Sequence, residues 1–162
     1  MIKVTKKTKK IIIISGGQTG VDRAALDIAI QLDLDHGGFC PKGRLAEDGV
    51  IPKKYNLTEL KSSTYAKRTL ENVKSADASL IIYQGILSGG TLKTKEYCKK
   101  HNKPVFAINL LETLKRIQLN FNHWIQKNHV AVLNIAGPRE TEAQVYDMSF
   151  SLLMELLSKV KM

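Results

Sequence analysis

The stretch Ile11-Ile12-Ile13-Ile14-Ser15-Gly16-Gly17-Gln18-Thr19-Gly20-Val21-Asp22-Arg23 decides the fold. Four consecutive β-branched residues leave no polar face, so the strand they predict must be covered on both sides, as a central parallel strand is. Three glycines follow within five residues, and then Val21, Ala25, Ile28, Ala29 and Leu32 recur at helical spacing. Strand, glycine-rich turn and helix together open a βαβ unit. Glycine lets a backbone approach a ligand closely, and the helix start aims unpaired N–H groups and its positive dipole end at the same point. The turn is therefore a candidate site for phosphate or another oxyanion. A capping box between Thr19 and Asp22 fits the same residues, and the two roles can coexist.

Outward from this segment the alternation continues. Gly37-Gly38-Phe39-Cys40 reads as a short second strand stopped by Pro41, and residues 41–63 as a long loop with a strand at Leu57 to Leu60. Tyr65 to Lys74 predicts a helix, Ser79 to Tyr83 a second strong strand, and Thr91 to His101 another helix. Pro104 to Ile108 predicts a strand with proline at its first position, where the missing donor does least harm. Leu114, Ile117, Phe121 and Trp124 mark a helix, and Val130 to Ile135 a strand. Beyond Gly137-Pro138 a long final helix carries Ala143, Tyr146, Phe150, Leu153 and Leu157. Leu152, Leu156 and Val160 widen its stripe, either for deep burial or for a subunit interface. The pattern predicts an α/β fold: one doubly wound, mainly parallel Rossmann-like sheet with helices on both faces. It occupies residues 11–162 as a single domain, after a flexible basic tail at 1–10.

Composition narrows the function classes. At 162 residues, 43% hydrophobic and 25% charged, the chain is long enough for a real core and too apolar for a disordered one. Its longest apolar runs, the four isoleucines among them, are four residues, against the ~20 that cross a bilayer. No secretory signal pattern is visible, and two cysteines make no disulfide framework, so a reduced cytoplasmic protein is expected. The net charge of +10 invites a nucleic-acid reading, but five of the 25 cations (Lys3, Lys6, Lys7, Lys9 and Lys10) stand in the tail with no acid beside them. That tail is either a solvated leader or a polyanion-binding arm.

Ligands of such sheets bind outside the carboxyl ends of the strands, where the strand order reverses. The turn after the first strand matches no Walker A loop, and aligned on Gly17 and Gly20 the dinucleotide pattern finds Ser15 in place of its first glycine. After the second strand the cations of Pro41-Lys42-Gly43-Arg44 stand where a ribose-binding carboxylate belongs. A compact, negatively charged ligand fits this better than NAD. Ser88-Gly89-Gly90-Thr91 repeats the glycine–helix signature, and Ala136-Gly137-Pro138-Arg139-Glu140 offers a third turn whose Arg139 can grip an oxyanion, or a plain Gly-Pro turn. Candidate cations are Arg23, Lys42, Arg44, Arg68 and Arg139; candidate carboxylates are Asp22, Glu47, Asp48, Glu71, Asp77 and Glu140. The scattered histidines and cysteines have no metal-ligand spacing, so no metal site is expected.

With these residues assembled, the chain resembles a bacterial family of molybdenum carriers, related to a molybdenum cofactor carrier protein. The match runs through Ile14 to Ala25, Cys40 to Arg44 with Glu47-Asp48-Gly49, Arg68-Thr69, Asn72-Val73, Asp77-Ala78, Gly89-Gly90-Thr91 and Asn134 to Glu140. The resemblance implies a Rossmann-like fold, a homo-oligomer (dimer or tetramer), and an anionic pterin (the molybdenum cofactor, molybdopterin) or a nucleotide as bound ligand. In this frame Gly16, Gly17, Thr19, Gly20, Gly89, Gly90 and Thr91 supply amides and hydroxyls, and the five candidate cations supply charge. Asp22 and Asp48 orient those cations, and Gln18, Gly43, Asn72, Gly137 and Glu140 complete the expected site. The Arg68, Asp77-Ala78 and Gly89-Gly90-Thr91 arrangement is also similar to the LONELY GUY-type phosphoribohydrolases. Their catalytic glutamate falls three residues after the motif threonine, where this chain has Thr94; Glu96 lies about 200° round the helix from there. An alternative reading is thus a nucleotide-processing enzyme using Glu47, Asp48 or Glu140. A third, nucleic-acid binding, is the least expected: aromatics are 6%, and Phe106, Phe121, Trp124 and Phe150 fall on core stripes.

Overall fold

The computed structural model describes residues 10–112 and 116–160. Along the chain its strands are β1 (Ile12–Ile14), β2 (His36–Gly37), β3 (Phe39–Cys40), β4 (Leu45–Ala46), β5 (Gly49–Val50), β6 (Thr58–Glu59), β7 (Ala78–Tyr83), β8 (Val105–Asn109) and β9 (Val132–Ala136). The helices are α1 (Val21–Gln31), α2 (Tyr65–Ser75), α3 (Gly89–Lys100), α4 (Ile117–Lys127), α5 (Glu140–Ala143) and α6 (Tyr146–Leu157). Five strands form one parallel sheet in the order β2-β1-β9-β7-β8. The last strand is inserted between the first and the third of this sheet. Counted from β9 instead of β1, the order becomes third, second, first, fourth, fifth, which is the arrangement of a dinucleotide-binding sheet. The strand order therefore reverses beside β9, and the turns after β1, β9 and β7 end side by side.

Side-chain alternation explains the layers. Ile11, Ile13, Leu80, Ile82, Leu133 and Ile135 join the core formed with α1, α4 and α6, including Val21, Phe121 and Leu153. The opposite strand positions face α2 and α3 and are more polar. There Asn134 donates to the Ser79 hydroxyl at 3.0 Å and the Cys98 thiol lies 3.3 Å from it. These buried polar groups persist in the sheet because they partner one another. Phe106, Phe121 and Trp124 pack on one another with ring centroids 5.4–6.1 Å apart, as their place on apolar stripes requires.

Several expectations are corrected. The second strand is split: β2 pairs with β1, while β3 leaves the sheet to pair with β6. Gly38 makes the break, with φ of 120° and so little space that an added β-carbon would collide with the Ser15 backbone. The final helix is likewise two pieces, because Gln144 adopts a left-handed φ of 46° between α5 and α6. Leu152, Leu153, Leu156 and Leu157 of α6 are buried against the chain's own core, which accounts for the wide stripe without another subunit. Residues 1–9 of the basic tail, and Leu114, lie outside the described residues. Among the described residues no helix is long and apolar enough to cross a membrane.

Candidate functional site

A cleft opens at the carboxyl ends of β1, β9 and β7, on the α2–α3 side. Its walls are Gly16 and Gln18 after β1, Ala136, Gly137 and Arg139 after β9, Gly90, Thr91 and Thr94 from α3, and Arg68, Thr69 and Asn72 from α2. Asp22 and Asn134 lie at its base, and Glu142 of α5 stands at one side. The cleft is open to solvent on one side, and its free volume is about 50 Å³. On a measure where one water needs about 10–15 Å³, that holds a group of a few heavy atoms.

Each wall follows from local sequence. Gly16 leaves room for the Arg68 guanidinium to lie across the turn, 2.5 Å from where a β-carbon would stand. Gln18 is held by its carbonyl oxygen, which accepts from the Thr19 amide at 3.0 Å and the Glu47 amide at 2.9 Å. With the oxygen so fixed, the amide nitrogen must point the other way. That Nε2 is buried and meets no acceptor among the described residues; the same holds for the Nε of Arg68. The first amides of α3 have no intrahelical partner, and Ser88 provides no side-chain cap. Gly90 lines the cleft, and a β-carbon added to it or to Gly89 would meet nothing within 4 Å.

The electrostatics are balanced. Asp22 sits 3.3 Å from Arg68 and accepts the Gln18 amide at 3.3 Å. Burial pushes its carboxyl above the usual range, and the Arg68 charge and donated hydrogen bonds oppose that rise. Arg139 lies 3.1 Å from Glu142. The Tyr65 ring stands 5.5 Å from the guanidinium carbons of both Arg68 and Arg139, bridging the two cations. Two guanidiniums, two carboxylates, a helix start and two buried donors without acceptors make a pocket suited to a small anion.

The topology agrees with what comparison with known proteins finds. A model of the circularly permutated YpsA SLOG family matches residues 13–157. The chain belongs to that family. Permutation is what the sheet displays, with β9 in the place of a first strand. A crystal structure at 1.45 Å resolution, of a protein from Syntrophus aciditrophicus SB named "putative molybdenum carrier protein", is 44% identical with a TM-score of 0.88, covering 94% of this chain and 98% of that one. A second structure, (E)-4-hydroxy-3-methyl-but-2-enyl diphosphate reductase, is 16% identical with a TM-score of 0.39 over 90% of this chain and 59% of its own, and carries no argument. No curated protein matches.

In this SLOG-family chain the expected site residues divide into two groups. Gly16, Gln18, Asp22, Arg68, Asn72, Gly90, Thr91, Gly137 and Arg139 meet at the cleft. The others stand elsewhere, each for a physical reason. Arg23 donates to the Gly17 carbonyl at 3.1 Å and grips Asp48 through two bonds of 3.0 and 3.1 Å, bracing the turn from outside. Arg44 donates to the backbone carbonyls of Ile51, Pro52, Tyr55 and Leu57, so its charge staples the 41–60 segment. The Gly43 amide donates to Glu59 at 2.6 Å, and Lys42 is exposed. Gly17 packs toward Leu57 and Ile51, and Gly20 toward the Pro138 carbonyl. Gly89 adjoins the cleft through Gly90. Glu140 accepts the Tyr146 amide at 2.9 Å, joining α5 to α6.

The capping box is absent: Gly20 is the N-cap of α1 with no side-chain bond, while the Thr19 hydroxyl donates to Glu47 and accepts the Glu140 amide. Asn72 lines the cleft, but both ends of its amide are engaged with the Phe39 backbone, at 2.8 and 3.0 Å. Glu47 is not a free acid. Burial raises its carboxyl, but hydroxyl bonds from Thr141 and Thr19 and the nearby Arg139 outweigh that and hold it below the usual range. Tyr65, Glu142 and Asn134 were not foreseen as site residues. The placement of Tyr65 three residues before Arg68, and of Glu142 three residues after Arg139, was a usable signal; Asn134 stood in the matched segment without a role. Among the described residues, no three His, Cys, Asp or Glu are grouped to hold a metal ion.

Proposed function

We propose that this cleft binds the phosphate of a small anionic ligand, and that the protein is a carrier for a phosphorylated pterin of the molybdenum cofactor type or for a nucleotide-like molecule. The observation that carries the reading is a pair of buried donors without acceptors among the described residues, Gln18 Nε2 and Arg68 Nε, on two residues that line the cleft. Each such group costs about 1–3 kcal/mol in the free protein, a cost that an oxyanion accepting both would remove. The amides of Gly90 and Thr91 add donors from the positive end of α3, and Arg68 and Arg139 add charge. The name of the Syntrophus protein points the same way. Molybdenum would arrive here as part of the cargo.

Binding is favoured over N-glycosidic hydrolysis by what the carboxylates already do. Glu47, Asp48 and Glu140 are engaged in bonds that hold loops together. At the position three residues after Thr91, the Thr94 hydroxyl donates to the Gly90 carbonyl at 3.0 Å. Assembly as a homodimer or tetramer belongs to the same proposal and is tested by light scattering.

The decisive experiment is mass spectrometry and fluorescence of small molecules released from protein purified without added cofactor, followed by titration with a pterin phosphate and nucleoside monophosphates. Arg68→Met is expected to weaken the bound species at least tenfold. A protein that carries nothing and ignores every added phosphate defeats the reading.

A further inference from the structure

The anion cleft is small, about 50 Å³, and open to solvent, so a ligand larger than a phosphate would extend out of it. A second cavity of about 260 Å³ adjoins it, sharing Thr91 and Glu142. Tyr83, Ile86, Pro138 and Ala143 give this cavity an apolar side, and Gln84, Ser88, Thr91 and Glu142 a polar one. Ile86 is 86% exposed, an isoleucine held in solvent at the cavity's edge, where a flat ring would cover it. Glu142 is the charged group common to both cavities. One carboxylate oxygen lies 3.1 Å from the Arg139 Nε, and the other takes no donor among the described residues.

We infer that the second cavity is a ring subsite, and that Glu142 selects a fused heterocycle with an amino-pyrimidinone edge, as in guanine and pterins. The inference rests on the anion reading of the first cavity. A carboxylate accepts two adjacent N–H donors, which is what a 2-amino-4-oxo ring presents. Adenine offers one donor beside a ring-nitrogen acceptor, which a carboxylate repels. With the phosphate at α3, the ring crosses Thr91 and lies against Ile86 and Pro138. A carboxylate contact of this kind discriminates between rings by about 10–100-fold.

The test is calorimetric titration of the full chain with GMP, a pterin phosphate, AMP and inorganic phosphate. GMP or the pterin phosphate is expected to bind at least tenfold more tightly than AMP. Glu142→Gln is expected to bring the preferred ligand down to the affinity of AMP, and Ile86→Ser to weaken every ring-bearing ligand relative to inorganic phosphate. Equal affinity for all three ring ligands, or a preference that survives Glu142→Gln, overturns the ring subsite and leaves the anion cleft standing. Failure of all four probes to bind overturns both.

Discussion

Gly90→Ala separates ligand binding from stability by moving them in opposite directions. Gly90 is the second residue of α3, its φ lies outside the left-handed region, and an added β-carbon meets nothing within 4 Å. Replacing glycine by alanine at such a place removes unfolded-state entropy and is expected to stabilise by about 0.5–1 kcal/mol. For a chain of this length that is roughly 1–4 °C in Tm. The same methyl group would hold an oxyanion away from the Gly90 and Thr91 amides. A charge-assisted hydrogen bond is worth about 1.5–3 kcal/mol, so affinity should fall about ten- to a hundredfold. Scanning calorimetry reads the first effect and titration with the ligand identified above reads the second. Gly89→Ala is the control: its φ of 53° disfavours any side chain, and Tm should drop by a few degrees. A Gly90→Ala protein that is more stable and binds unchanged would refute the placement of the anion at α3. A less stable one would refute the account of the turn.

Three further outcomes are expected. Gly20→Ala should cost about 2–3 kcal/mol in urea unfolding, because φ is 77° and the new carbon would stand 2.5 Å from the Pro138 carbonyl oxygen and 2.9 Å from the Glu140 nitrogen, both backbone atoms. Arg44→Met should cost about 2–3 kcal/mol and open the 41–60 segment to limited proteolysis, since it strips four carbonyls of their shared donor. The pH dependence has two limbs of opposite sign. Burial pushes the Asp27 carboxyl up, but bonds from Tyr146, Tyr55 and Lys54 bring it below its ordinary value, as Glu47 is also lowered. Their contribution is present above the unfolded values near pH ~4 and is lost as pH falls through the lower folded ones. Asp22, raised by burial, is the reverse: stability declines as pH climbs from its unfolded value toward its folded one. Urea titrations across this range should show Asp27→Asn flattening the acid limb, and an unchanged acid limb would contradict the Tyr146–Asp27–Tyr55 network.

The two buried donors could not have been read from the chain. Gln18 is one glutamine among others until the Thr19 and Glu47 amides seize its oxygen, and Glu47 arrives from 29 residues away. Arg23 and Arg44 looked as able as Arg68 to bind an anion. Which guanidinium stays available depends on which carbonyls and carboxylates the folded loops place within reach, and that is decided at long range. Glu142 is paired locally with Arg139, but its place beside Gly90 and Thr91 depends on α3, whose start lies some fifty residues away.

What the sequence determined by itself was local and periodic: the isoleucine strand, the glycine turns that precede helices, and the α/β alternation. These rest on side-chain branching, glycine's permissive backbone and the 2.0 and 3.6 residue periods, all of which act between near neighbours. Tertiary structure alone decided that β9 enters between β1 and β7. That insertion brings the Gly137 turn up beside Gly16 and Gly90, because parallel strands hydrogen-bonded edge to edge must end their carboxyl termini on the same rim.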